Sequence, residues 1–378
     1  MDTKSLKVAI VHDWLTNLGG AERTILAIRE TFPQADIYTS VYNKEKLPEF
    51  HDVPVKTSFL QGWPMAKTRH QFYSRLRQIA FESFDFSDYD LVISTSTGEA
   101  KGVLTSPKTL HIGYIHTPTR YYWVDYEGYL AKPGFGLLNP VVRLVLPRWI
   151  DSLKYWDFAA AQRPDVVMSN SQTVAERVHK YYQRDSLVLY PPVQTARFAQ
   201  PKKSQDGDYF LLVSRLVPYK NVRLAVEAFN KHNDKLVVIG DGSERKKLEA
   251  IAGPNVEFLG WADDQTVVKR VQDCRAFVFP TEEDFGITVV EAMAAGKPVI
   301  AYKKGGATET VVEGQTGVFF DKQTPQALCE AVQRIKNMSF NNEAIMAQAE
   351  KFSQTRFKNE LLNIVEQSLA AYHNKAKL

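Results

Sequence analysis

The chain has 378 residues, of which 44% are hydrophobic and 24% charged, and its formal net charge is +4. This length predicts two domains, and this balance of residues is typical of a folded globular protein rather than a disordered chain. The small net charge shows neither a basic arm nor an acidic tail, so composition gives no support to a nucleic acid partner.

The cysteine count and the hydropathy pattern indicate where the protein works. Cys274 and Cys329 are the only cysteines, and their spacing fits no zinc or redox motif. Two thiols do not make a disulfide framework, which suits a reducing compartment. No stretch approaches the roughly 20 apolar residues that span a bilayer, and the apolar run Val8–Val11 is far shorter than a signal-peptide core. We predict a cytoplasmic protein that does not cross a membrane.

Short β-branched runs alternate with helical patterns through the first half of the chain. A strand at 6–12 precedes the Gly19-Gly20 pair and a helix from about 22 to 32. Further strands are predicted at 89–95, 109–115, 165–169 and 187–190, and further helices near 65–83, 141–161 and 171–183. This order predicts a parallel sheet covered by helices on both faces.

The alternation breaks at Pro191-Pro192 and along the polar stretch 199–208, and then restarts. Strands are predicted at 209–214, 235–239, 255–259, 276–279, 298–302 and 317–320, with helices at 220–231, 243–252, 263–272 and 286–296. A last helix, about 355–373, has no strand after it. The chain therefore reads as two doubly wound α/β domains, whose ligand-binding residues should lie in the loops that follow the strands.

Several familiar motifs are absent. Gly240-Asp241-Gly242 begins like a dinucleotide fingerprint, but Arg245 stands where the third glycine belongs. The sequence has no P-loop, HExxH, GxSxG or CxxC motif. These absences argue against a dinucleotide-dependent dehydrogenase or a P-loop NTPase.

The most informative segment, 279–300, places three acids at 282–284 between a strand and a helix that opens at Phe285-Gly286. One interpretation is that the acids only complement the helix dipole, each worth about 0.3–1 kcal/mol. The other is that backbone N–H groups at 285–288 hold an anion. Glu283 and Glu291 would then accept hydrogen bonds from ligand hydroxyls.

Arg215 and Lys220, in SRLVPYKN (214–221), follow another strand and precede a helix. Two surface cations are the ordinary interpretation. If they lie opposite the acidic loop, they would instead supply positive charge that offsets the negative charge of a diphosphate. Each cation–anion contact at about 4 Å and a dielectric near 20 is worth roughly 4 kcal/mol gross. Two such cations and a helix N-terminus would neutralise a departing nucleoside diphosphate without a metal.

A third set lies in the N-terminal half. Asp13 follows the first strand, Gly19-Gly20 would let backbone approach a ligand closely, and His116 follows another strand beside Thr117, Arg120 and Tyr121. A plain glycine turn and a packed histidine are the alternatives.

Five segments in one order carry a resemblance: LGGAE (18–22), SRLVPYKN (214–221), VIGDGSE (238–244), EEDFGITVVEAMAAGKPVIA (282–301) and KGGATETVVEGQTG (304–317). Together they resemble family-4 retaining glycosyltransferases of the GT-B fold. HDWLTNLGGAER (12–23) and YIHTPTRYYW (114–123) resemble more narrowly the bacterial mannosyltransferases of polysaccharide and O-antigen assembly.

The resemblance implies two Rossmann-like doubly wound parallel-sheet domains facing a cleft. Residues 1–195 would bind the acceptor and 196–355 the nucleotide-sugar donor. The C-terminal helix, 356–378, would pack back on the N-terminal domain.

The resemblance also implies roles for single residues. Glu283 would contact donor-sugar hydroxyls, Glu291 the ribose, and Arg215 with Lys220 the diphosphate. Other donor contacts would come from Gly19, Gly20, Gly240, Phe285, Gly286, Ile287 and Thr288. His116 would lie beside the transferred sugar, and Asp13, Arg120 and Tyr121 on the acceptor side. One departure is Asp284, where the family often has glycine.

The activity so implied is retaining transfer of an α-mannosyl group from GDP-mannose to a hydroxyl of a lipid-linked or polysaccharide glycan. The leaving diphosphate would take the acceptor proton on the front face, with no metal or other cofactor. A UDP-sugar donor, a non-catalytic binding module, and an isomerase or phosphorylase on the same fold are the alternatives.

Residues 53–81 contain no acid. Their basic residues are Lys56, Lys67, Arg69, Arg75 and Arg77, and their aromatic residues include Phe59, Trp63, Phe72, Tyr73 and Phe81. A packed helix with a solvated basic face is one interpretation. The other is a patch for anionic lipid head groups or a lipid diphosphate acceptor on the inner face of the membrane.

Overall fold

The computed structural model describes residues 5–124, 126, 139–199 and 207–375. The chain forms two units, one running to Tyr190 and resuming at Phe357, the other spanning Pro191–Arg356. The second unit therefore begins five residues before the predicted domain start at 196. The reason is that the chain after Pro191 is tied to this unit: the Val193 N–H donates to Phe352 O at 3.1 Å, and the Thr195 hydroxyl donates to Glu350 at 2.8 Å.

The first unit contains a seven-stranded parallel sheet in the order β3-β2-β1-β4-β5-β6-β7. Its strands are β1 Val8–His12, β2 Asp36–Thr39, β3 Val55–Thr57, β4 Leu91–Ser96, β5 Leu110–Ile115, β6 Val166–Ser169 and β7 Leu187–Val188. Its helices are α1 Gly20–Thr31, α2 Ser74–Glu82, α3 Asn139–Ala161 and α4 Gln172–Tyr182. Every residue of β1, β4 and β5 is buried, as expected for central strands with helices on both faces.

The second unit contains a six-stranded parallel sheet in the order β10-β9-β8-β11-β12-β13. Its strands are β8 Tyr209–Val213, β9 Lys235–Ile239, β10 Val256–Gly260, β11 Ala276–Phe279, β12 Val299–Tyr302 and β13 Gly317–Phe320. Its helices are α5 Thr195–Phe198, α6 Val222–Phe229, α7 Arg245–Ile251, α8 Asp264–Asp273, α9 Ile287–Ala294, α10 Ala307–Thr310, α11 Pro325–Lys336 and α12 Asn342–Glu350. The predicted strand–helix alternation of this half is confirmed.

The last helix, α13 Gln354–Lys375, belongs to the first unit from Phe357 onward. Phe357, Leu361, Val365 and Leu369 recur every four residues, so they share one helix face, and all are buried in that unit's core. The Phe357 ring meets Tyr114 of β5 edge-on, with 6.2 Å between ring centroids.

Three predictions about elements were wrong or incomplete. The strands β2 and β3 were not predicted. They have only four and three residues, too few to show a clear alternation of apolar and polar side chains. The helix predicted at 65–83 begins only at Ser74. Met65 has a left-handed backbone angle (φ 55°) outside the helical region, and the residues before Ser74 form a 3-10 helix at His70–Tyr73. The helices α5, α10, α11 and α12 were not predicted.

Candidate active site

The loops that follow β8 and β11, two neighbouring strands of the second sheet, join through an ion pair. The Lys220 ammonium donates to the Glu283 carboxylate, and both side chains are largely buried. A second link holds the loops together, since the Thr281 hydroxyl donates to Tyr219 O at 2.8 Å. The structure thus brings together a cation and a carboxylate that lie 63 residues apart in the sequence.

Arg215 lies on the same loop as Lys220 and is exposed. Its guanidinium donates to the Tyr219 hydroxyl. Gly240 packs behind this loop, with φ at 136°, and a Cβ built there would lie 1.8 Å from Ser214 O. Only glycine permits this approach, so Gly240 supports the backbone that carries Arg215.

The acidic loop leads into α9 through two buried residues. Phe285 packs against Phe352 at 5.6 Å between ring centroids, and Gly286 has φ at 89°. The N–H groups of Ile287 and Thr288 open the helix, where backbone donors lack intrahelical acceptors and can bind an anion. Glu291 lies one turn further along α9, partly buried.

The loop after β12 fixes the position of the acidic loop, a role that the sequence analysis did not assign. The Gly306 N–H donates to Glu283 O at 2.9 Å. A Cβ built at Gly306 would lie 2.2 Å from the Phe285 Cα, and one at Gly305 would lie 2.3 Å from Glu283 O. The Gly-Gly pair of KGGATE was the signal for this contact, but a glycine pair does not reveal which backbone it will meet.

In the first unit, Asp13 is 1% exposed and accepts five hydrogen bonds from one loop. The donors are Ser96 Oγ at 3.3 Å, Thr97 N at 2.6 Å, Thr97 Oγ1 at 3.2 Å, Gly98 N at 2.8 Å and Ala100 N at 2.7 Å. Both carboxylate oxygens are therefore engaged. This geometry gives Asp13 a role in holding the loop after β4, and its contact with an acceptor stays a prediction.

The Gly19-Gly20 turn begins α1. Gly19 is the N-cap residue, and its N–H donates to Glu22 Oε2 at 2.9 Å. The other oxygen of Glu22 lies 3.6 Å from His12 Nε2, at the end of β1. The Gly19 N–H thus serves the start of the helix, and the diphosphate contact that the resemblance implies stays a prediction.

His116 follows β5 and is 7% exposed. Its ring meets Tyr114 edge-on, with 5.0 Å between ring centroids, and the backbone N–H of His116 donates to Ser96 O at 2.9 Å. The same Ser96 donates to Asp13, so the structure brings His116 and Asp13 to neighbouring loops. Arg120 is partly buried and Tyr121 is 47% exposed.

The acid-free segment divides into buried and exposed residues. Arg77 is buried and donates to Glu99 through two nitrogens, each at 2.8 Å, and Phe81 is buried as well. Lys56 pairs with Asp36 at 3.0 Å. Five apolar side chains of the segment are 43–57% exposed. One is Ile79 of α2, and we call the four that precede α2 the aromatic patch: Phe59, Trp63, Met65 and Phe72. Exposed Lys67, Arg69 and Arg75 lie in the same segment.

A comparison with protein families identifies the second unit. Residues 193–352 match the family described as "Glycosyl transferases group 1". The match covers less than half of the chain and lies within the second unit. The match contains Lys220, Glu283, Glu291 and the glycines that position their loops, and it confirms the resemblance seen in the sequence.

Curated relatives of this chain include mannosyltransferases. The alpha-1,3/1,6-mannosyltransferase ALG2 of Dictyostelium discoideum is 24% identical over 97% of this chain and 99% of its own. A GDP-mannose-dependent alpha-mannosyltransferase of Mycolicibacterium smegmatis is 29% identical over 58% of this chain. An uncharacterized glycosyltransferase of Methanocaldococcus jannaschii is 27% identical over 60% of this chain. The last two alignments cover 60% and 64% of those relatives, less than two thirds of their length.

Solved structures show the fold. HepE of Anabaena, in complex with UDP, matches 96% of this chain and 100% of its own with a TM-score of 0.71 at 18% identity. Sucrose-phosphate synthase of Thermosynechococcus elongatus matches 97% and 100% with a TM-score of 0.69 at 14% identity. The predicted GT-B class, with two Rossmann-like parallel-sheet domains, is confirmed.

Two searches of the described residues found nothing. Within 5–124, 126, 139–199 and 207–375, no three His, Cys, Asp or Glu side chains cluster as metal ligands would. Across the same residues, no helix has the length and apolar character needed to cross a bilayer.

Proposed function

We propose that this protein is a glycosyltransferase that moves a mannosyl group from GDP-mannose to a hydroxyl of a glycan acceptor with retention of the anomeric configuration. The Lys220–Glu283 pair carries the proposal. It lies at the carboxyl end of the second sheet, where ligands of open α/β sheets bind, in the region that matches the group 1 glycosyl transferases.

In the proposed mechanism Lys220 serves the leaving group. A diphosphate competes with Glu283 for the ammonium, and its two charges are also met by Arg215 and by the first N–H groups of α9. Glu283, released from Lys220, accepts hydrogen bonds from hydroxyls of the donor sugar, while Glu291 holds the ribose. Stabilisation of charge that develops on a leaving group is a large term in many enzymes.

The proposed proton transfer needs no protein nucleophile. As the bond from the sugar to the diphosphate breaks, the acceptor hydroxyl approaches the same face, and its proton passes to a leaving phosphate oxygen. His116 lies beside the transferred sugar and helps to orient it. Since cations and backbone donors carry the diphosphate charge, the proposal includes no metal.

The names of the relatives support mannose as the transferred sugar, and one solved structure suggests a second donor to test. Two of them are named mannosyltransferases, one of them GDP-mannose-dependent. HepE, whose fold this chain shares, was solved with UDP. A UDP-sugar is therefore the second candidate donor for the same chemistry.

A thermal-shift panel of GDP, UDP, ADP and dTDP, with and without EDTA, tests the donor. A ligand at 100 times its dissociation constant stabilises a folded protein by about 2.7 kcal/mol. We expect GDP and GDP-mannose to raise the melting temperature equally in both buffers. A response to UDP alone would indicate a UDP-sugar as the donor in place of GDP-mannose. A response abolished by EDTA would contradict the metal-free mechanism.

We also propose that the acceptor is lipid-linked and that the first unit rests on an anionic membrane surface. The aromatic patch supports this proposal because its apolar side chains accompany Lys67, Arg69 and Arg75 in a segment without acids. Interfacial binding of this kind combines buried apolar area with attraction to anionic lipids.

A further inference from the structure

The loop after β4, residues 97–102, is held from three directions by buried charged side chains. Asp13 accepts its N–H groups from the β1 side, as described above. Arg77 of α2 donates to Glu99 in a paired geometry, and both side chains are at most 7% exposed. Lys101 pairs with Asp157 of α3 at 2.6 Å, and both side chains are 1% exposed.

Asp157 joins this loop to the segment that follows β5. Its Oδ1 accepts from Lys101 Nζ and, at 2.9 Å, from Thr119 Oγ1. Its Oδ2 accepts from Trp123 Nε1 and from the Tyr182 hydroxyl, each at 2.7 Å. Tyr182 in turn accepts the Thr119 N–H at 3.2 Å. One carboxylate therefore binds side chains from the β4 loop, the β5 loop and α4.

Burial sets the protonation state of Tyr182 in this network. Burial, followed by the neighbouring Asp157, raises the pKa of Tyr182 well above its ordinary value. The Tyr182 hydroxyl therefore stays neutral and keeps its proton for the hydrogen bond to Asp157.

Stability alone does not account for such a network. Desolvation of a buried ion pair can exceed the attraction between its charges, and apolar replacements of both partners are often neutral or stabilising. What the network adds is a fixed geometry, because each of its members has a defined donor or acceptor partner.

The segment so fixed carries residues of the proposed site. His116, Arg120 and Tyr121 lie within 116–123, which Asp157 holds at Thr119 and Trp123. The β4 loop also contacts this segment directly, since Lys101 lies 3.5 Å from Thr119 Oγ1.

We propose that Asp157 is a positioning residue for glycosyl transfer, which locks the β4 loop and the segment 116–123 in one arrangement so that His116 is held in place. This inference rests on the proposed function. Asp157 itself touches no substrate in this account and acts through Thr119, Trp123 and Lys101.

The first test compares Asp157→Asn with Asp36→Asn. The amide keeps the shape of the Asp157 side chain, but only its oxygen accepts hydrogen bonds. It therefore cannot accept from Lys101 on one side and from Trp123 and Tyr182 on the other. Asp36 is the matched control, because it also accepts from a lysine and a tyrosine, at the start of β2 and away from these loops. We expect Asp157→Asn to lower kcat by roughly tenfold or more, to leave GDP affinity unchanged, and to speed hydrogen exchange in 96–103 and 116–124. Asp36→Asn should change none of these.

The second test removes both charges with the double variant Lys101→Met/Asp157→Leu. The double variant leaves no buried charge unpaired, but Thr119, Trp123 and Tyr182 still lack their common acceptor. We therefore expect kcat to stay low and the melting temperature to stay below that of the wild type. Recovery of kcat together with stability would overturn the inference, as would unchanged exchange in Asp157→Asn.

The two proposals fail in different ways. A wild-type protein that turns over no sugar nucleotide would refute the proposed function. The exchange comparison between Asp157→Asn and Asp36→Asn would still decide whether Asp157 orders the two segments.

Discussion

Lys220 and Glu283 are each recognisable in the sequence, but their ion pair is not. Each follows a predicted strand, and the carboxyl ends of neighbouring parallel strands lie at one edge of a sheet. The sequence does not show that β8 and β11 are neighbours, because β9 and β10 come between them in the chain. The pairing of these side chains therefore depends on strand order, which only the structure shows.

Replacing either cation tests the leaving-group mechanism. We expect Lys220→Ala or Arg215→Ala to lower kcat by roughly 10²–10³, the usual loss for one preorganised electrostatic donor. Lys246→Ala, an exposed lysine of the same unit, is the matched control and should behave as the wild type. Steady-state release of GDP from GDP-mannose measures the effect, and full activity in both site variants would contradict these assignments.

His111, in β5, makes stability depend on pH. Burial, with smaller effects from Arg163 and Arg184, lowers the pKa of this imidazole to about 3, so it is neutral when folded. The unfolded chain takes up the proton below about pH 6.5, so stability is complete above that pH and is lost as pH falls, at about 1.4 kcal/mol per unit.

We therefore expect the wild type to lose more stability than His111→Gln between pH 7.5 and 5.5. The glutamine does not titrate, and its amide retains a partner for Ser94. Urea unfolding at several pH values measures the difference. Parallel profiles for the two proteins would contradict the lowered pKa of His111 in the folded state.

At the scale of elements, long buried strands were predictable and short edge strands were not. β1 and β4 begin with apolar runs that the sequence shows directly, and both are buried along their whole length. β3 has three residues, partly exposed, and pairs only with β2. For Asp13, the sequence correctly predicted a position directly after β1. It could not predict the hydrogen bonds from residues 96–100, because those residues lie far from Asp13 in the chain.

The contact between the loops after β11 and β12 predicts a strong effect for a small substitution. Gly306 has φ at −60°, which any residue adopts, so Gly306→Ala acts only through its Cβ against the Phe285 backbone. Displacing the acidic loop by about 1 Å should lower kcat by roughly 10²-fold.

The control for Gly306→Ala is Gly62→Ala, whose Cβ would meet nothing within 4 Å. We expect this variant to keep wild-type kcat and melting temperature. If Gly306→Ala is as active as Gly62→Ala, the loop after β12 does not position Glu283.

At the scale of the whole molecule, the sequence shows that the chain divides into two units, but it does not show which unit the last helix joins. Pro191-Pro192 interrupts the strand–helix alternation and marks the start of the second unit. The return of the chain to the first unit follows from the apolar face of α13, which sequence periodicity shows without showing which core receives it.

The proposed membrane contact is also a property of the whole molecule. Each lysine or arginine near an anionic surface contributes about 1 kcal/mol. The double variant Lys67→Glu/Arg69→Glu should therefore bind phosphatidylglycerol vesicles at least about 30-fold more weakly. Lys246→Glu/Lys247→Glu, an equal change in net charge on exposed lysines of the second unit, is the control. Equal vesicle binding by the two double variants would refute the proposed membrane contact through the aromatic patch.

The stereochemistry of hydrolysis tests the central claim most directly. When no glycan acceptor is present, water takes its place, and NMR identifies the first anomer of mannose released from GDP-mannose before mutarotation. A retaining transferase that uses Lys220 and Glu283 releases α-mannose and GDP, with or without EDTA, and Lys220→Ala releases them far more slowly. Release of β-mannose or of mannose phosphate, or consumption of GDP-mannose without release of GDP, would contradict the account.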